Sequence, residues 1–136
     1  LNGKPPLIFG DGSQGRDFTY VTEVARGIAL AGVADAAVGR IINIAQGRML
    51  TVRDIATIIM NVCGRNDLAV KNLAPRPGDV EKLRADTTLA AQLLGFRGMI
   101  TFEDGVRHYC DWFRERHSDP SQLLEDIDEN WTLPAT

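Results

Sequence analysis

Residues 40–56 read Arg-Ile-Ile-Asn-Ile-Ala-Gln-Gly-Arg-Met-Leu-Thr-Val-Arg-Asp-Ile-Ala, and they place an isoleucine-rich run shortly before the strongest helix signal in the chain. The run at 40–45 is bounded by Gly39 and Gly47, which predicts a strand. Thr51 can accept hydrogen bonds from first-turn amides, and apolar residues recur at helical spacing until Gly64: Val52, Ile55, Ala56, Ile59 and Cys63. A strand followed by a helix is typical of α/β and α+β folds.

The rest of the chain continues this alternation. Leu7-Ile8-Phe9 predicts a short strand ended by the turn at 10–12, and residues 68–73 predict another. Apolar periodicity and caps predict helices over 22–31, over 87–94 behind Asp86, and from Thr101 onward. We therefore expect an α/β or α+β fold in which helices pack on a small mixed sheet.

Composition indicates one globular body followed by an acidic tail. All 15 Lys and Arg lie at or before Arg116, whereas five of the 18 acidic residues follow it. We assign residues 1–117 to the folded domain and residues 118–136 to the tail, which is either a short docking helix or disordered chain. No apolar run is long enough for a membrane span.

The charge balance also limits the class of partner. A pI near 5.3 argues against a nucleic-acid-binding protein, because such proteins present a basic face. The two cysteines, Cys63 and Cys110, fall on apolar helix stripes, so we interpret them as small buried hydrophobic residues and expect no disulfide framework or metal site. A reduced, cytoplasmic location is the default expectation.

The chain contains no recognisable catalytic constellation. No G-x-G-x-x-G opens a helix after a strand, and no Walker, zinc-protease or nucleophile-elbow pattern occurs. His108 and His117 are too far apart in sequence to share a metal and are interpreted as surface residues.

Two arginine-bearing loops are the remaining candidates for function. Arg16 follows a turn between a strand and a helix, and Arg76 lies between two prolines ahead of Asp79. A guanidinium held on a stiff loop can bind phosphate oxygens bidentately, and a carboxylate can accept from a sugar diol. Alternatively, Arg16 pairs with Asp17 or another carboxylate and Arg76 is a solvated loop residue.

Taken in order, these segments resemble the extended short-chain dehydrogenase/reductase family of NAD-dependent nucleotide-sugar epimerases and dehydratases. The likeness is strongest to UDP-glucose and UDP-N-acetylglucosamine 4-epimerases, and it extends over about residues 1–114. It rests on seven stretches: residues 5–14, 16–21, 42–45, 76–80, 85–86, 94–96 and 102–106.

The resemblance implies that this chain is the C-terminal, nucleotide-sugar-binding part of such an enzyme. It implies that the Leu7–Phe9 backbone binds the uracil edge, that Arg16 holds the diphosphate, and that Arg76 and Asp79 bind phosphate and ribose. The expected substrate-binding residues are thus Leu7, Phe9, Arg16, Arg76 and Asp79, and the expected partner is a UDP-sugar.

The resemblance also implies what is missing. Family members carry a glycine-rich NAD loop and a Tyr-x-x-x-Lys base, whereas Tyr20 is followed four residues on by Val24 and Tyr109 by Phe113. We therefore expect no catalytic residue and no bound cofactor in this chain, with NAD belonging to the intact parent, and we expect the chain alone to be inactive.

Two other hypotheses remain open. In the first, the chain is a stand-alone, self-associating binding module, with a homodimer formed through the surface left by the missing Rossmann half. Otherwise it is a piece of a dTDP-glucose 4,6-dehydratase or a UDP-glucuronate decarboxylase.

Overall fold

The structure, a computed structural model, describes residues 2–117 and residue 119, so the tail predicted for 118–136 lies almost wholly outside the described residues. Within that range the strands and helices are short. The strands are β1 (Leu7–Phe9), β2 (Gly15–Asp17), β3 (Met49–Thr51), β4 (Lys71–Leu73) and β5 (Lys82–Leu83). The helices are α1 (Val21–Val33), α2 (Val52–Val62), α3 (Thr88–Leu94) and α4 (Phe102–Arg116), with a 3-10 turn at Asp35–Ala37 after α1.

The strands form two small sheets. β1 pairs in parallel with β4, with Leu7 opposite Lys71 and Phe9 opposite Leu73. β2 is the centre of the second sheet, antiparallel to β3 and parallel to β5. The predicted mixed α/β architecture with packed helices is confirmed, although the strands are divided between two sheets.

Helices α2, α3 and α4 begin where their local chemistry predicts, whereas α1 runs to Val33, beyond the end predicted near Gly32. Thr51 and Asp54 form a reciprocal capping box at the start of α2, and the Thr101 hydroxyl accepts from the Asp104 amide at 3.1 Å at the start of α4. Asp86 accepts from the Thr88 amide at 2.9 Å at the start of α3. Gly95 then ends α3 in the left-handed conformation with φ of 62°.

The main core lies between α1 and α3. Ala90, Leu94 and Phe96 are buried there, and partly buried aliphatic side chains pack around them, among them Leu30, Ile42 and Ile44. A Cβ added at Gly27 of α1 would lie 2.5 Å from Ile44, so this close approach requires glycine. A second contact, between α2 and α4, buries Ala56 and Cys110.

The strand predicted at 40–45 is wrong as a paired element. Ile42 and Ile44 face the core while Ile41 is 94% exposed, so the side chains alternate as in a strand. No neighbouring strand among residues 2–117 pairs with this segment. The sequence shows that residues 40–45 favour an extended conformation, but a paired strand also needs a neighbouring strand to bond with. The strand predicted at 68–73 is likewise shorter and begins at Lys71.

Helix α1 carries apolar residues on two faces. One face covers the core, and the other is exposed although its residues recur at helical spacing: Val21, Ala25, Ile28, Ala29 and Gly32. Val33, the last residue of α1, and then Val38 and Ile41 continue this exposed apolar surface along the chain. We call these eight residues the α1 surface. None of the helices in the described part of the chain is long and apolar enough to cross a membrane.

Candidate functional site

The backbone of β1 has one edge paired and one edge facing away from its sheet. Gly10 donates to the Leu73 carbonyl at 3.0 Å, and Lys71 donates to the Pro6 carbonyl at 2.9 Å. Because bonding groups alternate along a strand, the N–H and C=O groups of Leu7 and Phe9 point away from β4. These are two of the residues whose main chain is expected, from the family resemblance, to bind the uracil edge.

Arg16 is fixed in place by three acceptors on β2 and the loop before β5. Its Nη2 lies 2.5 Å from Asp79 Oδ1, and its Nη1 donates to the carbonyls of Gly15 at 2.8 Å and Val80 at 2.7 Å. The two side chains of the ion pair are 24% and 32% exposed, so the pair lies at the surface but is partly shielded. The expectation that Arg16 pairs with a carboxylate is therefore realised with Asp79.

Asp17, the neighbour of Arg16, has a different role. Side chains alternate across a strand, so Asp17 points to the opposite face of β2. Its Oδ2 accepts from the amides of Gly47 at 3.0 Å and Ala85 at 3.3 Å. Asp17 thus holds two loops against β2, and it is not the partner of Arg16.

Arg76 stacks on an aromatic ring at the end of β1. Its guanidinium carbon lies 4.0 Å from the centroid of the Phe9 ring, within cation–π range. The side chain is half-buried, so the interpretation of Arg76 as a fully solvated loop residue is wrong. The guanidinium thus lies over the Phe9 ring at the end of β1.

Gln14 connects the two halves of this cluster. Its amide donates to the Phe9 carbonyl at 2.8 Å and lies 3.5 Å from Asp79 Oδ2. The sequence assigned Gln14 no role, although it lies just before Arg16 in a stretch that carries the family resemblance. Its position between a tight turn and a strand is a weak signal, because only the fold shows which acceptor it reaches.

The structure thus brings four of the five predicted site residues into one cluster. Phe9, Arg16, Arg76 and Asp79 are linked by the contacts above, and Leu7 lies on the same edge of β1 two residues before Phe9. We call Phe9, Gln14, Arg16, Arg76 and Asp79 the arginine cluster.

The glycines beside the cluster do not fit a dinucleotide. Gly10, Gly12 and Gly15 have the G-x-G-x-x-G spacing, but they lead from β1 into strand β2, so no helix N-terminus receives a pyrophosphate. A Cβ at Gly12 would lie 3.2 Å from Ile8, and one at Gly15 would collide with Met49. Chain packing therefore accounts for both glycines.

The turn that carries these glycines is tied internally. Asp11 accepts from the Ser13 amide at 2.9 Å, and Arg53 of α2 donates to the Asp11 carbonyl at 2.5 Å. Hydrogen bonds from the hydroxyl and the amide of Ser13 lower the pKa of Asp11. The turn is thereby held against α2, which fixes the path from β1 to Gln14 and Arg16.

Neither tyrosine has the surroundings of a catalytic base. The Tyr20 ring packs on His108 with centroids 5.4 Å apart, and Tyr109 packs against Trp112 and Phe113. His117 contacts the Phe113 ring with centroids 4.7 Å apart. Among residues 2–117 and 119, no group of three or more His, Cys, Asp or Glu side chains could hold a metal ion.

The fold and the comparisons place the chain in the extended short-chain dehydrogenase/reductase family of sugar-nucleotide epimerases and dehydratases. The sequence model of the GDP-mannose 4,6 dehydratase family matches residues 1–109, and the chain belongs to that family. The predicted resemblance is confirmed.

Individual relatives agree. UDP-glucose 4-epimerase of Mycolicibacterium smegmatis is 31% identical over 116 residues, which cover 85% of this chain and 36% of that enzyme. The dTDP-glucose 4,6-dehydratase of an Actinoplanes species is 30% identical over 118 residues, or 87% of this chain and 37% of that enzyme. Among solved structures, a UDP-N-acetylglucosamine 4-epimerase from Methanobrevibacter ruminantium M1, in complex with UDP-N-acetylmuramic acid, is 36% identical with a TM-score of 0.77.

The similarity covers most of this chain but only part of each relative. The superposition on the Methanobrevibacter enzyme covers 86% of this chain and 37% of that protein. The chain therefore spans little more than a third of the length of the relatives it matches. Epimerase-type enzymes in this family contain a further region without a counterpart in this chain.

Proposed function

We propose that this chain is the nucleotide-sugar-binding part of an NAD-dependent sugar epimerase or dehydratase, and that its ligand is a UDP-sugar. In this proposal the free edge of β1 binds the uracil, and Arg16 and Arg76 bind the diphosphate. Asp79 accepts from the ribose diol. The proposal further holds that NAD and the Tyr-x-x-x-Lys base belong to the region that the relatives have and this chain lacks, so the chain alone does not turn over substrate.

The observation that supports the proposal is the arginine cluster itself. It places the outward-facing main chain of β1, whose Phe9 carbonyl accepts from the Gln14 amide at 2.8 Å, beside two guanidinium groups and a carboxylate. A uracil edge, two phosphates and a diol need these same three kinds of group in this order.

In this proposal the two arginines bind phosphate in different ways. Arg16 spends both Nη groups on protein acceptors, so it offers phosphate a fixed positive charge and its remaining N–H groups. Arg76 lies over the Phe9 ring, and in this proposal its guanidinium binds phosphate oxygens bidentately. Asp79 holds Arg16 through Oδ1, and its Oδ2 has only the long 3.5 Å contact with Gln14, which a ribose hydroxyl can replace.

The α1 surface supports the second part of the proposal, a missing region that covers it. Exposed aliphatic side chains at helical spacing, followed by a strand-like segment without a pairing partner, are what remains when a packed neighbour is absent. Since the relatives are nearly three times as long as the matched segment, we propose that their NAD-binding region is that neighbour.

Calorimetric titration of the chain with UDP, UDP-glucose, dTDP and uridine tests the binding proposal. We expect UDP to bind and to do so more tightly than uridine. We expect Arg16→Ala and Arg76→Ala each to weaken UDP by roughly tenfold or more, because a hydrogen bond to a charged group contributes about 1.5–3 kcal/mol. Uridine, which has no phosphate, should lose little in the Arg76→Ala variant.

Arg107→Ala is the matched control, because Arg107 is an arginine of α4 that pairs with Glu103 outside the cluster. It removes the same charge from the chain and should leave UDP binding unchanged. If Arg107→Ala weakens UDP as much as Arg76→Ala does, net charge and not the cluster accounts for binding. The absence of heat with millimolar UDP contradicts the proposal outright.

The same titration separates the possible nucleotide classes. A dTDP preference over UDP would identify the parent as a dTDP-glucose 4,6-dehydratase type of enzyme. With UDP-glucuronate added to the titration, its binding as tightly as UDP-glucose would leave an epimerase and a UDP-glucuronate decarboxylase as the two parents to compare. Turnover of UDP-glucose by the purified chain would overturn the expectation that it is inactive alone.

A second candidate function is a self-associating module, and the α1 surface is the observation that favours it. Two copies could bury these apolar side chains against each other in a homodimer. Light scattering distinguishes the candidates: a stable dimer that does not bind UDP supports the module, and a UDP-binding chain supports the enzyme part.

A further inference from the structure

The two cysteines of the chain meet at the contact between α2 and α4. Cys63 is the C-cap residue that directly follows α2, and Cys110 lies within α4. Their sulfur atoms are 3.8 Å apart, which is van der Waals contact, although 47 residues separate them in sequence. Both thiols are free.

The local structure permits the sulfurs to come closer. A disulfide needs a sulfur–sulfur distance of about 2.05 Å, so the pair must approach by about 1.8 Å. Cys63 is at the end of its helix, and the following Gly64 has φ of 66° with open space where a Cβ would be. A helix terminus of this kind adjusts more easily than a helix interior.

The two thiols differ in accessibility. Cys110 is 6% exposed, and Cys63 is half-buried. Both line one apolar cavity of about 480 Å³, with Ile59, Phe102 and Tyr109 among the other lining residues. Burial, followed by the hydrogen bond with Cys63, raises the pKa of the Cys110 thiol. Cys63 is therefore the thiol that a reagent entering the cavity meets first.

We propose that Cys63 and Cys110 are a redox modification site that a small-molecule disulfide, such as glutathione disulfide, converts to an intramolecular disulfide between α2 and α4. The Cys63 thiolate attacks one sulfur of the reagent, a mixed disulfide forms, and one reagent thiolate leaves. The Cys110 sulfur then attacks Cys63 and expels the second reagent thiol. The protein loses two electrons and two protons, and the reagent disulfide is reduced to two thiols.

The proposal is independent of nucleotide binding. From the sequence alone, both cysteines are interpreted as small core residues. The alternative to a redox site is therefore that two such residues are in contact only because their helices pack together. The two interpretations differ in the product of oxidation, because a chance pair gives adducts or no reaction and a poised pair gives a cross-link.

Incubation of the native chain with glutathione disulfide, followed by alkylation and intact-mass and peptide analysis, tests the site. We expect the wild type to lose both free thiols and two hydrogens, with residues 63 and 110 in one linked peptide. We expect Cys110→Ser to retain one glutathione on Cys63, and Cys63→Ser to react much more slowly than Cys110→Ser. Cys63→Ala and Cys110→Ala repeat the comparison without adding a hydroxyl to the core.

A thermal scan supplies a second readout. The cross-link closes a long loop of the unfolded chain, so the oxidised wild type should melt roughly 10 °C higher than the reduced form. Either of two results overturns the proposal: wild-type chain that accumulates a stable glutathione adduct without a cross-link, or wild-type thiols that stay unreacted while the unfolded chain reacts fully.

Discussion

At the scale of single residues, the sequence and the family resemblance single out candidate side chains but not the partners that these side chains contact. Arg16, Arg76 and Asp79 are candidates because charged side chains next to glycine and proline can bind anions and diols, and because the family resemblance includes them. The Arg16–Asp79 ion pair joins residues 63 positions apart, and it exists because β5 lies in parallel beside β2. Long-range pairing of short strands leaves no local trace in the sequence, so the geometry of the cluster had to be observed.

Glu23 is the one charged side chain of the described chain that is fully buried, at 3% exposure. It accepts from Arg26 Nη2 at 3.0 Å and from the Met99 amide at 2.6 Å, which ties α1 to the loop before α4. The hydrogen bond from Arg26, and then that from Met99, lower the pKa of Glu23 below its usual 4.5. A carboxylate with a lowered pKa stabilises the fold above its unfolded pKa and loses that contribution as pH falls through the folded pKa.

We expect Glu23→Gln to lower the free energy of unfolding by about 2 kcal/mol at pH 7, because the buried amide keeps the volume but loses the charge-assisted bonds. The difference from wild type should shrink as pH falls below 4.5, where the unfolded carboxyl is protonated, and should close below the folded pKa. Urea unfolding at a series of pH values measures both effects. Glu103→Gln, at a half-exposed carboxylate, is the control and should show little of either; a pH-independent gap for Glu23→Gln contradicts the account.

At the scale of elements, the helices were the most predictable part of the fold. Caps and apolar spacing are local signals, and they fixed the starts of α2 and α4 at Thr51 and Thr101. Strands β2, β3 and β5 were missed because each has two or three residues and is stabilised by neighbours far away in sequence. The opposite error arose at 40–45, where local β-preference predicted a strand that lacks a partner in the described chain.

The capping box of α2 leads to a prediction at this scale. Thr51→Ala removes the hydroxyl that accepts from the Asp54 amide at 3.1 Å, so it should lower the free energy of unfolding by about 1 kcal/mol. Thr51→Ser keeps the oxygen and should recover most of that loss. Chemical denaturation of the three proteins decides the matter, and equal stability of the Ala and Ser variants would show that the box does not stabilise α2.

At the scale of the whole molecule, five of the large exposed apolar side chains belong to the α1 surface, and others lie elsewhere, among them Met99 and Tyr109. Ile28 is 64% exposed and Ile41 is 94% exposed, so neither contributes much to the stability of the isolated chain. The sequence predicted the helix from this very periodicity, but it could not say that the stripe faces outward. That fact depends on α1 having a second buried face, formed around Gly27 and Leu30.

We expect the isolated chain to associate as its concentration rises, and the double substitution Ile28→Ser and Ile41→Ser to reduce this association without lowering the melting temperature. Sedimentation velocity over a concentration series measures the first effect, and calorimetry the second. Ile42→Ser is the matched control: it replaces a core-facing isoleucine and should destabilise the fold by more than either surface change. Monomeric wild type at all concentrations would contradict the role given to the α1 surface.

The bare edge at 41–45 has a consequence for motion. If another region pairs with it and covers α1, the boundary between the two regions passes through main-chain hydrogen bonds and a packed helix, and not through a flexible linker. Such a joint cannot act as a hinge, because opening it breaks a ladder and uncovers a core. Any closure over a ligand is then left to loops, such as the proline-flanked loop that carries Arg76.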